Sequence, residues 1–308
     1  MSGSLRFETV LCPVCSHDQY SPWMQFNDKY AEHTLVRCTQ CRFVYINPRP
    51  TEDTIGVYYS AEEYTPFVSS SDNRSLFAKV YHTVRRFSVR WKRKKVENKS
   101  NKGLVIDLGC GTAEFLNEMK QNGWQVAGIE PSPEASEFAR SNYDIPVLTG
   151  TINRELIGQT PDNPDVITMW HVLEHVHRLD ETLDLIYKKL KPGGTLVIAV
   201  PNINSLDALF YGRDWVALDV PRHLYDFVLA DLRSLLNKHQ FRVYRTHGMP
   251  IDAVFNVLMS EKNIIQRRGL WFLPLSLVRI PLVVSITTMA GLIRGRASAI
   301  VVYAEKQG

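Results

Sequence analysis

From Leu104 onward, short apolar runs alternate with stretches whose apolar positions recur every three or four residues. The runs predict strands at 104–108, 125–129, 146–149, 165–169, 195–200 and 241–245, and the periodic stretches predict helices near 112–122, 133–141, 179–190 and 228–239. Such alternation builds a parallel sheet covered by helices on both faces, because each parallel strand needs a crossover to carry the chain back. KPGG at 191–194 ends a helix and turns the chain into the apolar run LVIAV.

Three stretches depart from this rhythm. Residues 8–50 show no helical period and carry two CxxC pairs and the turn-rich run NPRP. Phe77, Val80, Val84, Phe87 and Trp91 fall on one helical stripe, with Lys79, Arg86, Arg90 and Arg93 largely opposite, which predicts a basic amphipathic helix over 75–98 before the linker NKSNKG. Residues 250–297 form a helical insertion. From Gly269 to Ile293 its only charge is Arg279, flanked by Pro274 and Pro281, before a last strand in SAIVVYAEK. The expected organisation is a cysteine module at 1–60, the basic helix and linker at 74–101, and a sheet domain at 102–308 containing the insertion.

Composition narrows the class rather than naming it. With 308 residues, 44% apolar and 22% charged, the chain has the make-up of an ordinary globular protein. The net charge of +4 is modest, but residues 74–102 hold eleven Lys or Arg against the single acid Glu97. That helix suits either an anionic surface or a solvated face on the sheet domain. MSGSLRFETV lacks the basic-then-apolar pattern of a secretory leader, so the expected location is the reducing cytoplasm.

In LVIDLGCGTAEFL the first strand feeds a glycine turn and a helix, an arrangement that brings a ligand against backbone N–H groups. Gly109 and Gly111 fill two positions of a dinucleotide fingerprint, but Glu114 stands at the third and should repel a pyrophosphate. Asp107 adds a second carboxylate, and Glu130 at the end of the next strand can accept ribose hydroxyls. A cationic adenosyl compound, S-adenosylmethionine (SAM), fits better than a dinucleotide.

VIDLGCGTAEF, GIEPSPEASEFAR, DVITMWHVLEHV and LKPGGTLVIAVPN together resemble the class I SAM-dependent methyltransferases, in that family's order and spacing. The resemblance implies a Rossmann-like α/β fold with a seven-stranded sheet whose last strand inserts antiparallel beside the fifth. It implies cofactor contacts from Asp107, Gly109, Cys110 and Gly111, from Glu130, from His171 after the fourth strand, and from Thr151 and Ile152 after the third. Ala113 stands where the family often has glycine.

Cys12, Cys15, Cys38 and Cys41 supply four thiolates, a donor set that suits structural Zn(2+) and leaves no open coordination position. In so small a segment the metal would contribute on the order of 10 kcal/mol of apparent binding energy to folding. The module resembles those of sugar- and polysaccharide-pathway methyltransferases, which makes Tyr58, Tyr59 and Tyr64 candidate substrate-side residues; packing of the small module explains them equally well. Cys110 reads as a packing residue of the turn.

Methyl transfer to a hydroxyl or carbon acid needs alignment and a base. His223 in DVPRHLYDF, after a loop containing Trp215, is the first candidate, by resemblance to sugar methyltransferases. His171 is the second, and Tyr225 and Arg222 are candidates for acceptor binding. The expected acceptor is a small molecule or glycan, methylated on a sugar hydroxyl or carbon in a glycan or nucleotide-sugar pathway. The alternative is a lipid or quinone acceptor at a membrane surface. Nucleic acid is the disfavoured partner, while a peripheral membrane contact through 75–98 or 269–293 and a homodimer stay open.

Overall fold

The computed structural model describes residues 5–59, 76–97, 102–291 and 296–307. The N-terminal region forms β1 (Phe7–Glu8), β2 (Tyr20–Asn27), β3 (Glu32–Cys38), β4 (Val44–Ile46) and β5 (Arg49–Pro50). Then come α1 (Leu76–Glu97), β6 (Leu104–Leu108), α2 (Glu114–Gln121), β7 (Gln125–Glu130), α3 (Pro133–Tyr143) and β8 (Val147–Thr149). They are followed by α4 (Arg154–Gln159), β9 (Val166–Trp170), α5 (Leu179–Lys189), β10 (Thr195–Pro201) and α6 (Leu206–Tyr211). The chain closes with β11 (Tyr225–Asp226), α7 (Leu229–Lys238), β12 (Phe241–Gly248), α8 (Pro250–Arg268), α9 (Leu273–Ala290) and β13 (Ala299–Lys306).

Seven strands make one sheet in the order β12-β13-β10-β9-β6-β7-β8, and β6 pairs parallel with both β7 and β9. β13 therefore lies beside the fifth strand, β10. Asn202 N–H reaches Ser298 O at 2.9 Å and Lys306 N–H reaches Gly194 O at 3.2 Å, so these strands run in opposite directions. Every residue of β6 and β9 is buried, as parallel strands covered on both faces require. The pattern in the sequence missed α4 and α6, each six residues long and too short to display a helical period.

The chain packs as two units. One comprises Met1–Tyr64, Val200–Leu235 and Thr246–Val301. There β2, β3, β4 and β11 form a four-stranded sheet in the order β11-β4-β3-β2. Leu35, Val44 and Ile46 of this sheet share a core with Trp215, Val257, Phe272 and Val283, so the cysteine module and the helical insertion bury each other.

The second unit comprises Thr65–Ala199, Leu236–Arg245 and Val302–Gly308. Within it α1 packs on α2, and its second half does so without Phe87. Phe87 is 62% exposed, while Arg93 Nε donates to Glu118 Oε1 at 2.9 Å and Val96 is buried. The acids of α2 draw this helix down by its basic residues. The side chains of Phe77, Val80 and Val84, like Tyr64, lie outside the described residues.

Candidate active site and cysteine cluster

β6 and β7 pair in parallel and end side by side, which brings Asp107 and Glu130 near each other at the glycine turn. Gly109 (φ 73°), Gly111 (φ 54°) and Ala113 (φ 61°) all turn left-handed, which curls the chain so that its N–H groups converge. Gly109 and Cys110 donate to Ile129 O at 2.7 and 3.1 Å, locking the turn to β7. A methyl added at Gly109 would meet Val172, whereas the space above Gly111 is open. Gly128 must also stay bare, because Cys110 Sγ would stand 2.6 Å from its Cβ. Cys110 thus packs by its sulfur and lines the turn by its backbone; burial and the nearby Asp107 and Glu130 push its thiol pKa upward.

Asp107 is 3% exposed and accepts a 2.5 Å hydrogen bond from Thr168 Oγ1 on β9. Burial pushes its pKa up to about 7, against the pull of Thr168 and the charge of Lys92. Glu130 accepts Gly111 N–H at 2.7 Å and Ser132 N–H at 2.9 Å. Burial still raises its pKa, since two amide donors do not replace the lost water. Two buried carboxylates so placed favour a ligand that brings positive charge and hydroxyl donors. The donor set therefore fits a cation such as SAM.

Glu114 plays a different part from the one its position suggests. Arg85 of α1 pairs with Glu114 Oε1 at 2.5 Å and donates to Thr112 Oγ1 at 3.0 Å, and Thr112 in turn donates to Glu114. Its charge is answered, so discrimination against a pyrophosphate falls to Asp107 and Glu130. Arg85, Lys92 and Thr168 were absent from the residues singled out in the sequence. Lys92 lies 4.7 Å above the Trp170 ring, which packs edge-on against Phe115.

His171 follows Trp170 in a left-handed conformation (φ 58°), with Nδ1 3.4 Å from the fully buried Glu174. Thr151 is exposed and Ile152 half-buried just past β8, where Gly150 N–H reaches back to Glu130 O at 2.9 Å.

In the other unit, His223 is 8% exposed. Its Nδ1 lies 2.8 Å from Ala217 O, which turns an Nδ1 proton toward that carbonyl. Asp219 Oδ2 stands 3.8 Å from Nε2 and would stabilise an imidazolium; Arg222 grips the same carboxylate through Nε and Nη2. Tyr225 is buried, and its hydroxyl accepts from Arg49 at 2.5 Å. Trp215 donates to Asp207 at 2.9 Å. Tyr58 meets His33 at 3.0 Å and packs edge-on against Tyr30, as a packing residue would.

The four module cysteines sit on two like turns. Ser16 N–H reaches Cys12 O at 2.8 Å and Arg42 N–H reaches Cys38 O at 3.1 Å, with Ser16 and Arg42 both left-handed. The turns bring the four sulfurs within 4.8 Å of one another, with Cys12–Cys41 and Cys15–Cys38 each at 3.5 Å and no disulfide formed. Zn–S bonds of about 2.3 Å imply tetrahedral edges a little under 4 Å, so the cluster is compatible with zinc.

The family described as Methyltransferase domain matches residues 75–246, more than half of the chain. The chain belongs to this family. It carries a SAM-dependent methyltransferase domain. Among similar proteins is a ubiquinone biosynthesis O-methyltransferase of Schizosaccharomyces pombe, a mitochondrial protein, 35% identical over 31% of this chain and 36% of its own length. Another is the ubiquinone biosynthesis O-methyltransferase of Pseudomonas fluorescens, 28% identical over 51% of this chain and 68% of its own length. The chain thus spans about a third of the first relative and two thirds of the second. In fold it is similar to the magnesium protoporphyrin IX methyltransferase of Synechocystis PCC 6803 with bound SAH, at a TM-score of 0.51 and 14% identity over 83% of this chain and all of that one.

Proposed function

We propose that the chain transfers a methyl group from SAM to a hydroxyl of a quinone- or lipid-type acceptor. The observation that carries this acceptor class is the similarity to ubiquinone O-methyltransferases in both a yeast and a bacterium. The sugar acceptor expected from the cysteine module has only that resemblance behind it.

Bound SAM supplies a methyl carbon already activated by sulfonium, so the protein must hold the cofactor and take a proton from the acceptor. Asp107 holds the ammonium end and Glu130 the ribose hydroxyls, while the turn from Gly109 to Gly111 seats the methionine part. Thr151 and Ile152 flank the adenine and His171 borders the cofactor. His223 is the proposed base: its Nε2 accepts the acceptor's proton, and Asp219 stabilises the cation formed. Arg222 and Tyr225 hold this region in shape. Cys12, Cys15, Cys38 and Cys41 hold a structural zinc ion, and metal analysis of the purified chain should find one zinc per molecule, lost in a Cys38→Ser variant.

The test uses SAM with a labelled methyl group, offered to the protein with separate lipid and nucleotide-sugar extracts. Label in the lipid fraction supports this reading; label in the nucleotide-sugar fraction replaces it with the sugar acceptor. His223→Ala should lose at least a hundredfold in turnover with SAM affinity unchanged, and turnover within a few fold of the parent would remove it from the mechanism.

A further inference from the structure

The helical insertion carries its polarity the wrong way round for a helix facing water. Two of the four buried side chains of α9 are the hydroxylic Ser276 and Thr287. Its one charged residue, Arg279, lies with Nε 3.0 Å from Glu261 Oε1 of α8. Glu261 is fully buried and also accepts from Tyr211 at 2.8 Å and Ser276 at 2.7 Å. The Arg279 guanidinium sits 5.0–5.7 Å from the rings of Phe210, Tyr211 and Phe272, which shield it further.

The outward face is mainly apolar, with Ser285 and Thr288 its exposed hydroxyl residues. Leu275, Leu277, Val278, Leu282 and Met289 are 50–70% exposed, and Leu270 and Trp271 at the turn before α9 are 79% and 73% exposed. Among the described residues that face has no charge. An amphipathic helix of a water-soluble protein shows the reverse arrangement, and an exposed patch of this extent marks an interaction surface.

The rim indicates what covers it. Lys262, Arg267 and Arg268 are exposed in the second half of α8, next to Trp271, and between 251 and 291 no acid is exposed: Asp252 is half-buried and Glu261 buried. Arg267 is answered by Asp214 at 2.7 Å, while Arg268 stacks over Phe272 at 5.2 Å. A second copy meeting it by the same face would offer no exposed acid from 251–291 in return, whereas anionic lipid headgroups answer the cations and acyl chains the leucines. Tryptophan beside arginine at the edge of an apolar surface is the arrangement of a helix lying in a membrane interface. The stretch Leu270–Ala290 is long and apolar enough to cross a bilayer, but crossing would carry Arg279 toward the hydrocarbon centre and break its pairing with Glu261.

We propose that the outer face of α8 and α9, led by Trp271, docks flat on an anionic bilayer. The docking surface goes beyond the acceptor reading and is tested without any acceptor. The full chain is sedimented with phosphatidylcholine vesicles containing or lacking about one-third phosphatidylglycerol. Wild type should partition onto the anionic vesicles and leave them as salt rises. Leu277→Ser/Leu282→Ser/Met289→Ser, at exposed positions, should lower partitioning at least tenfold with an unchanged urea midpoint. Lys262→Glu/Arg268→Glu should lower it about fivefold or more per charge and flatten the salt dependence. Equal partitioning of wild type and both variants, or no partitioning of wild type onto either vesicle, overturns the proposal. So does a wild-type dimer in light scattering that the triple variant dissolves, since the face would then belong to a second copy.

Discussion

Two sets of buried carboxylates divide this molecule by purpose. Asp107 and Glu130 are buried beside open space, with pKa values pushed up and only neutral donors in hydrogen bonds to them. Glu261 is buried more completely and is closed by an arginine, a tyrosine and a serine. The first arrangement leaves charge waiting for a ligand at a cost in stability. The second hides charge so that the outer surface of α9 carries none. Burial of a charged group therefore says little by itself; what matters is whether its partners are already present.

The largest effect should come from opening the closed set. Glu261→Leu removes the acceptor of Tyr211 and Ser276 and strands Arg279, so stability should fall by about 3 kcal/mol, read from urea unfolding. Adding Arg279→Leu should recover most of that loss, because two apolar residues replace a buried pair at little net cost. A single variant as stable as the parent would show that the network does not hold the insertion together.

How much of this contrast was legible beforehand follows from the range of the interactions. The glycine turn, Asp107 and Glu130 could be read because strand, turn and helix fix them at short, regular spacings. The alternating pattern gave a parallel sheet covered by helices, while the place of the last strand beside the fifth came from the family resemblance. Arg279 stood out as the lone charge of its segment, but its partner lies on the preceding helix, and no spacing rule links the two. Nor could the sequence say which side of α9 faces out, since a helix apolar nearly all round has no preferred face. Glu114 was misjudged for the same reason: its answer, Arg85, comes from a separate helix. The cysteine spacing gave the likeness of the two turns, whereas the core shared with Val257 and Phe272 is a long-range property.

Neutralising the open set should cost far less stability. Glu130→Gln removes a buried charge but turns an NH2 toward one of the two backbone N–H groups that the carboxylate accepts, so the ligand-free protein should lose no more than about 1 kcal/mol in urea unfolding. SAM affinity should drop 10- to 100-fold, about 1.4–2.7 kcal/mol, measured by calorimetry. Weaker binding together with a stability loss as large as that of Glu261→Leu would place Glu130 with Glu261, as a structural group.

A pH series sharpens the same point at Asp107. Its folded pKa near 7 lies above the ordinary value of 3.8, so the native state keeps a proton that the unfolded chain has released. The stability of the ligand-free protein should therefore decline as pH rises from about 4 to about 7 and level off above that. Asp107→Asn should remove this decline, and urea midpoints at pH 5 and pH 8 suffice to see it. A decline of equal size in the variant would assign it to other groups.

The smallest effect concerns the border of the crevice. Arg85 and Glu114 are each about one-quarter exposed, so their pairing is screened by water and salt. Arg85→Gln should cost about 0.5–1 kcal/mol at low ionic strength and less at high salt. Its effect on SAM decides what α1 is for. If the arginine only fastens α1 to α2, affinity should change less than twofold. If it holds Thr112 and Glu114 away from the ligand, the freed carboxylate would draw the cationic cofactor into a second pose, and affinity should shift several-fold with little further loss of stability. The second outcome is expected, because Arg85 touches the turn residue Thr112 as well as the helix.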